Sequence, residues 1–210
     1  MSVRSSGPAA LRPARRADQV RAAGSAQVEQ ATVRYLAYGL LPAWTVPAAA
    51  DWLMHRRTRI QDNAGTRESL VHLAMMTEVG VPAIVVLLCE VEPPVLAVLL
   101  LSVLAHEATA LWDVRTAREG GRDVGVVEQH LHSFLESLPY MAAAALACLH
   151  PDQVRGLGRA LAAPTRASWR LRLRRPAFPA RYLAGVGAGA AGLGLLYAEE
   201  LWRCARAARR

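Results

Sequence analysis

One short pattern recurs in the sequence, a carboxylate followed four residues later by a histidine. It is present three times, as Asp51-x3-His55, Glu68-x3-His72 and Glu128-x3-His132. Residues four apart lie on the same face of an α-helix, so each pair can direct an oxygen and a nitrogen towards one centre. Carboxylate and imidazole ligands without thiolate suit iron, manganese and zinc. The pattern therefore predicts metal binding by three helices.

Other acids and histidines are candidates for the same centre. They are His106, Glu107, Asp113, Glu136 and Glu199. Asp113 follows His106 by seven residues, which places both on one helical face. Glu199 and its neighbour Glu200 cannot both point inward, and we expect Glu199 to do so because it lies deeper in the helix. His130 lies between Glu128 and His132, two residues from each, so it points away from their helical face and is expected at the surface.

The composition excludes several common functions. All 25 basic residues are arginine, and a chain without lysine cannot be a Walker-type NTPase or a Schiff-base enzyme. The three cysteines form no CxxC pair, which excludes a disulfide framework, a zinc ribbon and a cysteine-ligated iron–sulfur cluster. A chain with 53% apolar residues and a formal charge of +8 instead favours a membrane protein.

Five apolar stretches have the length of a helix that crosses a bilayer, about 20 residues. They cover residues 35–54, 70–89, 95–112, 131–149 and 182–201. No alternating pattern indicates a barrel, so we predict an all-α, polytopic membrane bundle of five transmembrane helices. The bundle forms one domain over 31–203, between a mobile basic tail over 1–30 and a basic tail over 204–210.

The direction of successive spans alternates, and this decides where the ionisable side chains lie. The ends of the first, third and fifth spans share one membrane side with the starts of the second and fourth. Every acid and histidine named above falls on that side, which makes this convergence the strongest signal in the sequence. Glu78 would lie about 15 Å deep, counted from Glu68 at 1.5 Å per residue, and would need a partner or a proton.

Charged groups inside a bilayer cost several kcal/mol unless they are paired, protonated, hydrated or bound to metal. Here the acids outnumber the arginines near them, which favours bound cations. The candidate ligands exceed what one four-coordinate ion requires, so we expect two metal ions. Iron is the first choice, with manganese or zinc as alternatives.

The acid–histidine motifs resemble those of membrane di-iron proteins, the alternative oxidases and the histidine-rich desaturases and hydroxylases. The resemblance covers Asp51-x3-His55, Glu68-x3-His72, His106-Glu107 and Glu128-x3-His132, and not the whole chain. It implies O2-dependent oxidation of a lipid-soluble substrate, such as a quinol or an acyl chain. It also implies a ligand set of Asp51, His72, His106, His132 and Glu136, with His55, Glu68, Glu107, Asp113 and Glu128 as alternatives or as groups that orient the imidazoles.

Three other functions compete with this one. A haem b electron carrier would use His72, His106 or His132 as axial ligands. A zinc-dependent lipid hydrolase would use Glu107 or Glu136 as general base. In a protein without catalysis, the same residues would transport metal or would join the helices through hydrogen bonds.

The segments outside the motifs predict location and partners. The lipid bilayer is the first partner, and arginines in the short loops of the motif side place that side in the cytoplasm, which we expect to be bacterial. The basic segment 151–181 is either an amphipathic segment along the headgroups or a disordered loop. The glycines of 185–192 favour close packing against a neighbouring helix or a second copy of the chain. No motif accompanies the charge that would indicate nucleic-acid binding.

Overall fold

A computed structural model describes residues 11–63, 65–121 and 123–210, and this part of the chain is helical without a β-strand. The predicted all-α class is therefore confirmed. The helices are α1 (Leu11–Tyr35), α2 (Leu41–Arg57), α3 (Gly65–Leu88), α4 (Pro93–Glu119), α5 (Val126–Leu149), α6 (Pro151–Ala162) and α7 (Ala180–Ala207).

A π-helical turn, Leu36–Leu40, joins α1 to α2 without a break in the helix. The turn ends two residues before Pro42, which has no N–H to donate to a regular α-helix. The N–H of Leu41 donates to the carbonyl of Leu36, five residues back, as in a π-helix. The tail predicted over 1–30 is thus helical from Leu11 onwards, and its first ten residues lie outside the described part. The boundary predicted at residue 30 falls inside a helix.

Five long helices enclose a common interior. α3 packs on α4 and α7, α2 packs on α5 and α7, and α4 packs on α5, so the helices form a closed ring in the order α4, α3, α7, α2, α5. Short connections, one of which contains a 3-10 turn at Ile60–Asp62, keep α2, α3, α4 and α5 antiparallel in turn, and the longer segment through α6 leads from α5 to α7. All three acid–histidine pairs therefore lie at one end of the ring, which we call the metal end, and the opposite end is the far end.

The chain after α5 covers the far end of the ring. α6 packs on α4, and the Pro93 Cγ would lie 3.2 Å from a Cβ placed on Gly156. Beyond α6 the backbone is irregular but anchored, since the N–H of Arg174 donates to Leu88 and the N–H of Glu90 donates to Arg172. Segment 151–181 thus consists of α6 and an irregular connection that is hydrogen-bonded to the end of α3 and the residues that follow it.

Two helices, α3 and α4, are long and apolar enough to cross a membrane, judged by length and composition. The outer surface of the ring is apolar along these helices, where Leu70, Ile84, Leu101 and Leu111 are all at least 48% exposed. The fully buried side chains include the ionisable His55, Glu68, Glu128 and Glu200 as well as apolar ones such as Ile60 and Val95. The ring therefore combines exposed apolar side chains along α3 and α4 with ionisable groups in its interior.

The glycines of α7 pack against nothing within the described part of the chain. A Cβ placed on Gly185, Gly187, Gly189 or Gly192 would meet no atom within 4 Å. The predicted close approach of a neighbouring helix of the same chain is therefore wrong, and contact with a second copy stays a prediction.

Candidate metal centre

Each of the five ring helices contributes a buried ionisable side chain to the metal end. The set consists of Asp51 and His55 on α2, Glu68 and His72 on α3, Asp113 on α4, Glu128 and His132 on α5, and Glu200 on α7. We call these eight residues the acid–histidine cluster. All are buried except His132, whose side chain is 20% exposed.

One group within the cluster joins α2 to α5. Ligand atoms of Asp51, His55, Glu128 and His132 all lie within 4.8 Å of one another. His132 Nε2 is 3.0 Å from Asp51 Oδ1, and His55 Nε2 is 3.3 Å from both Asp51 Oδ2 and Glu128 Oε1. Two carboxylates and two imidazoles thus converge, enough to coordinate one ion fully.

A second group joins α3 to α4. Ligand atoms of Glu68, His72 and Asp113 lie within 4.8 Å of one another. His72 Nε2 is 3.1 Å from Asp113 Oδ1 and 3.9 Å from Glu68 Oε1. Three protein ligands leave a coordination position for water or substrate, as in catalytic metal sites.

Glu200 lies between the two groups and contacts a histidine of each. Its Oε2 is 2.8 Å from His55 Nδ1, and its Oε1 is 3.3 Å from His72 Nδ1. The two imidazole rings stack with centroids 4.4 Å apart and planes 11° apart. An imidazole that donates through Nδ1 keeps its lone pair on Nε2, so one carboxylate orients both rings with Nε2 towards the ligand groups.

One contact across these groups is a hydrogen bond, which joins His132 Nε2 and Asp51 Oδ1 at 3.0 Å. Three other facing atoms, His55 Nε2, His72 Nε2 and Asp113 Oδ1, are buried and have no hydrogen-bond partner among the described residues. A nitrogen lone pair 3.1–3.3 Å from a carboxylate oxygen is unfavourable, and either a proton on the imidazole or a cation between the two atoms removes the repulsion. Two ligands bound to one ion at about 2.1 Å in a tetrahedron lie about 3.4 Å apart, close to these separations. The residues therefore fit bound metal.

The charges of the two groups also fit two divalent ions. Each of the two groups holds two carboxylates, and Glu200 adds a fifth to the cluster. Two divalent cations would offset the four negative charges of the two groups and, with them, part of the desolvation cost of burying those charges. Buried acid and histidine groups that could hold metal are thus present, and the structure leaves the identity of the metal open.

The hydroxyl of Tyr197 holds the first group from α7. It donates to the Ala48 carbonyl at 3.0 Å and lies 3.2 Å from Asp51 Oδ2. A cavity of about 20 Å³ adjoins this region and is lined by residues that include Asp51, His72, Asp113 and His132. A water needs about 10–15 Å³ by this measure, so the cavity accommodates a single small ligand.

Four residues predicted for the site lie outside the cluster. His106 is buried but its Nδ1 lies 3.4 Å from Glu78 Oε2, deeper in the ring. Glu107 is exposed, and Glu136 is half-buried on the wall of the small cavity. Glu199 faces outward, where it contacts the cations of Arg56 and Arg203 and accepts from the Trp52 indole. The surface position predicted for His130 is confirmed, since it is exposed.

Sequence reasoning selected the wrong residue of the Glu199/Glu200 pair. Glu200 is 0% exposed and joins both ligand groups. A signal for it was present, because Tyr197, Glu200 and Cys204 lie three and four residues apart and form one helical face. Those three residues are all buried. The shared helical face therefore indicates the inward residue of the pair better than depth along the helix does.

No protein-family model matches the chain, and no curated protein or solved structure matches it significantly.

Proposed function

We propose that the protein is an integral membrane oxidoreductase that holds two metal ions, iron in the first place, and uses O2 to oxidise a lipid-soluble substrate. The observation that carries the proposal is the pair of ligand groups bridged by Glu200. Asp51, His55, Glu128 and His132 would hold one ion, and Glu68, His72 and Asp113 the other. Two redox-active ions at neighbouring sites can exchange two electrons with O2, a chemistry that zinc does not offer.

The donor set supports iron or manganese. Four carboxylates and three imidazoles are an oxygen-rich mixture without thiolate, which suits these metals and is less suited to copper. A carboxylate from each of several helices with histidines one turn away is the logic of di-iron bundles. A haem between two histidines would need imidazoles on opposite faces of a porphyrin, whereas His55 and His72 stack directly on each other.

The apolar outer surface of α3 and α4 and the ionisable groups in the interior of the ring support a location in the membrane with five spans. Buried charge inside and exposed leucine outside suit hydrocarbon as the solvent, since charged residues of membrane proteins face the bundle interior. Beyond α3 and α4, the proposed spans run along α2, α5 and α7. The membrane we propose is a bacterial inner membrane. After extraction of such membranes with alkaline carbonate, we expect the protein to remain in the membrane fraction. Release of the protein into the supernatant would contradict the proposal.

The metal end is proposed to face the cytoplasm. The short connection between α2 and α3 carries Arg59, and Arg56, Arg57 and Arg67 lie in the helix ends beside it. Basic residues in and beside short loops stay on the cytoplasmic side. An impermeant maleimide should label Arg57→Cys only after cells are opened, in a chain whose native cysteines are replaced by serine. Labelling of intact cells would reverse the orientation.

Metal analysis of the purified full chain tests the centre. We expect two iron or manganese ions per chain in the wild type and fewer than one in His72→Ala and His55→Ala. His130→Ala is the matched control, because this histidine is exposed on α5. Metal content unchanged in both cluster variants, with the proteins folded, would overturn the proposal.

A zinc-dependent lipid hydrolase is the second candidate, and one observation favours it. The group of Glu68, His72 and Asp113 has three ligands, and Glu136 lines the cavity beside it, where a general base could face a metal-bound water. Zinc as the only metal, together with loss of ester hydrolysis in Glu136→Gln, would select the hydrolase over the oxidase.

A further inference from the structure

A second, larger cavity extends from the middle of the ring to the far end, where Glu29, Glu90, His150 and Arg174 line it. Its volume is about 200 Å³, and most of its remaining wall is apolar, with side chains such as Trp44, Val79, Val103 and Leu146. Apolar cavities take up apolar ligands; one of about 150 Å³ holds benzene in another protein. The interior of the ring can therefore bind an apolar molecule.

The floor of this apolar cavity is polar. Glu78 and His106 line it, and His106 also lines the small cavity beside the acid–histidine cluster. His106 is 3% exposed, and neither of its ring nitrogens has a hydrogen-bond partner among the described residues. Glu78 Oε2 is in the same state, although its Oε1 accepts from the Thr109 hydroxyl at 2.8 Å.

Buried polar atoms without partners cost about 1–3 kcal/mol each, so a ligand that satisfies them is favoured. His106 and Glu78 together offer a donor and acceptors 3.4 Å apart, which matches a hydroxyl group. The apolar walls above them match a hydrocarbon tail. The two observations together specify a ligand with a hydroxyl head and an apolar tail.

We propose that the apolar cavity binds a lipid with a hydroxyl head, and that His106 and Glu78 hold the head next to the metal end. The head can belong to a phenolic ring or to a long-chain alcohol. This inference rests on the proposed function, because the neighbouring metal ions would act on the bound head. His106 is then a substrate-binding residue, not a ligand of the ions.

Binding to the purified full chain with its metal tests the inference. The probes are decylhydroquinone, dodecanol and dodecane, measured by titration calorimetry in detergent below their solubility limits. We expect the probes with hydroxyl heads to bind about tenfold more tightly than dodecane, the effect of roughly one additional hydrogen bond. Tight binding of only one of the two hydroxyl probes identifies the source of the head. Equal affinity for all three would overturn the inference.

Two variants separate the head from the tail. His106→Phe should remove the preference for hydroxyl heads, whereas Glu107→Gln, the exposed neighbour, should keep it. Ala143→Phe should weaken the binding of every probe, because Ala143 lines the apolar walls. If His106→Phe fails to fold, Glu78→Gln takes its place. If the preference for hydroxyl heads survives in whichever of these two variants, His106→Phe or Glu78→Gln, is folded, the proposed role of His106 and Glu78 in holding the head would be overturned.

Metal analysis of the same samples distinguishes this inference from the proposed function. Two ions per chain without binding of any probe would refute the inference and leave the metal centre intact. Binding with the expected preference in a protein without metal would refute the proposed function and leave the lipid site.

Discussion

The two ends of the helix ring solve opposite packing problems. At the metal end, eight ionisable residues from five helices crowd together and are joined by carboxylate–imidazole contacts. In the far half, Val91, Leu96 and Leu146 form an apolar cluster, and the ring holds a largely apolar cavity of about 200 Å³. We propose that bound cations stabilise the first region, whereas the second is packed by apolar contacts and has space for a ligand.

We therefore expect each end of the ring to make its own, separate contribution to the stability of the five helices. Mutations at the metal end should change metal binding and, through it, stability. Mutations in the far half should change stability or ligand binding and leave the metal content unchanged.

Removal of metal should have the largest effect. A chelator should lower the thermal unfolding midpoint of the wild type by many degrees, because four buried carboxylates lose their counter-charge, and breaking a single buried ion pair already costs about 3–5 kcal/mol. Circular dichroism in detergent, followed with and without chelator, measures the difference. In His72→Ala the chelator should shift the midpoint much less; equal midpoints with and without chelator in the wild type would contradict the metal end as described.

Truncation in the far half should reduce stability without loss of metal. Leu146 is 6% exposed, and Leu146→Ala should lower the free energy of unfolding by about 2–5 kcal/mol through the cavity it leaves. Metal content per folded chain should equal that of the wild type. Loss of metal in this variant would show that the two ends are coupled.

The Glu200 carboxylate should affect metal affinity through the histidines it orients. Glu200→Gln should weaken metal binding about 10–100-fold, the usual effect of removing a group that orients a ligand. Glu199→Gln is a matched control one residue away, since the partners of Glu199 among the described residues are the cations of Arg56 and Arg203 and the Trp52 indole. Competition with a metal-sensitive dye compares the variants, and equal losses in both would reject the role of Glu200.

The Tyr197 hydroxyl should make the smallest contribution. Tyr197→Phe removes the contacts to Ala48 and Asp51 and should cost about 1 kcal/mol of stability, with metal affinity reduced only a few-fold. Denaturant unfolding and the same dye competition measure both effects. A loss of metal as large as in Glu200→Gln would mean that Tyr197 orients Asp51 directly for metal binding.

The periodicity of the sequence was sufficient to predict the five ring helices and the end at which the acids and histidines meet, but not α1, most of which lies in the segment predicted as a mobile tail. The three pairs spaced by four residues depend only on helical geometry, and alternation of the helices brings them to one end. Estimates of depth were less useful. They favoured His106, Glu136 and Glu199, because depth along a helix does not say which way a side chain points.

Sequence alone determined which residues share a helical face and which end of the bundle they occupy, because both follow from 3.6 residues per turn and from antiparallel neighbours. Only the tertiary structure decided the rotation of each helix about its axis. Adjacent residues differ by about 100° around a helix, so the packing of α7 against α2 and α3 selects Glu200 over Glu199. Packing likewise directs His106 towards Glu78 and the apolar cavity, a choice made by the fit of all five helices.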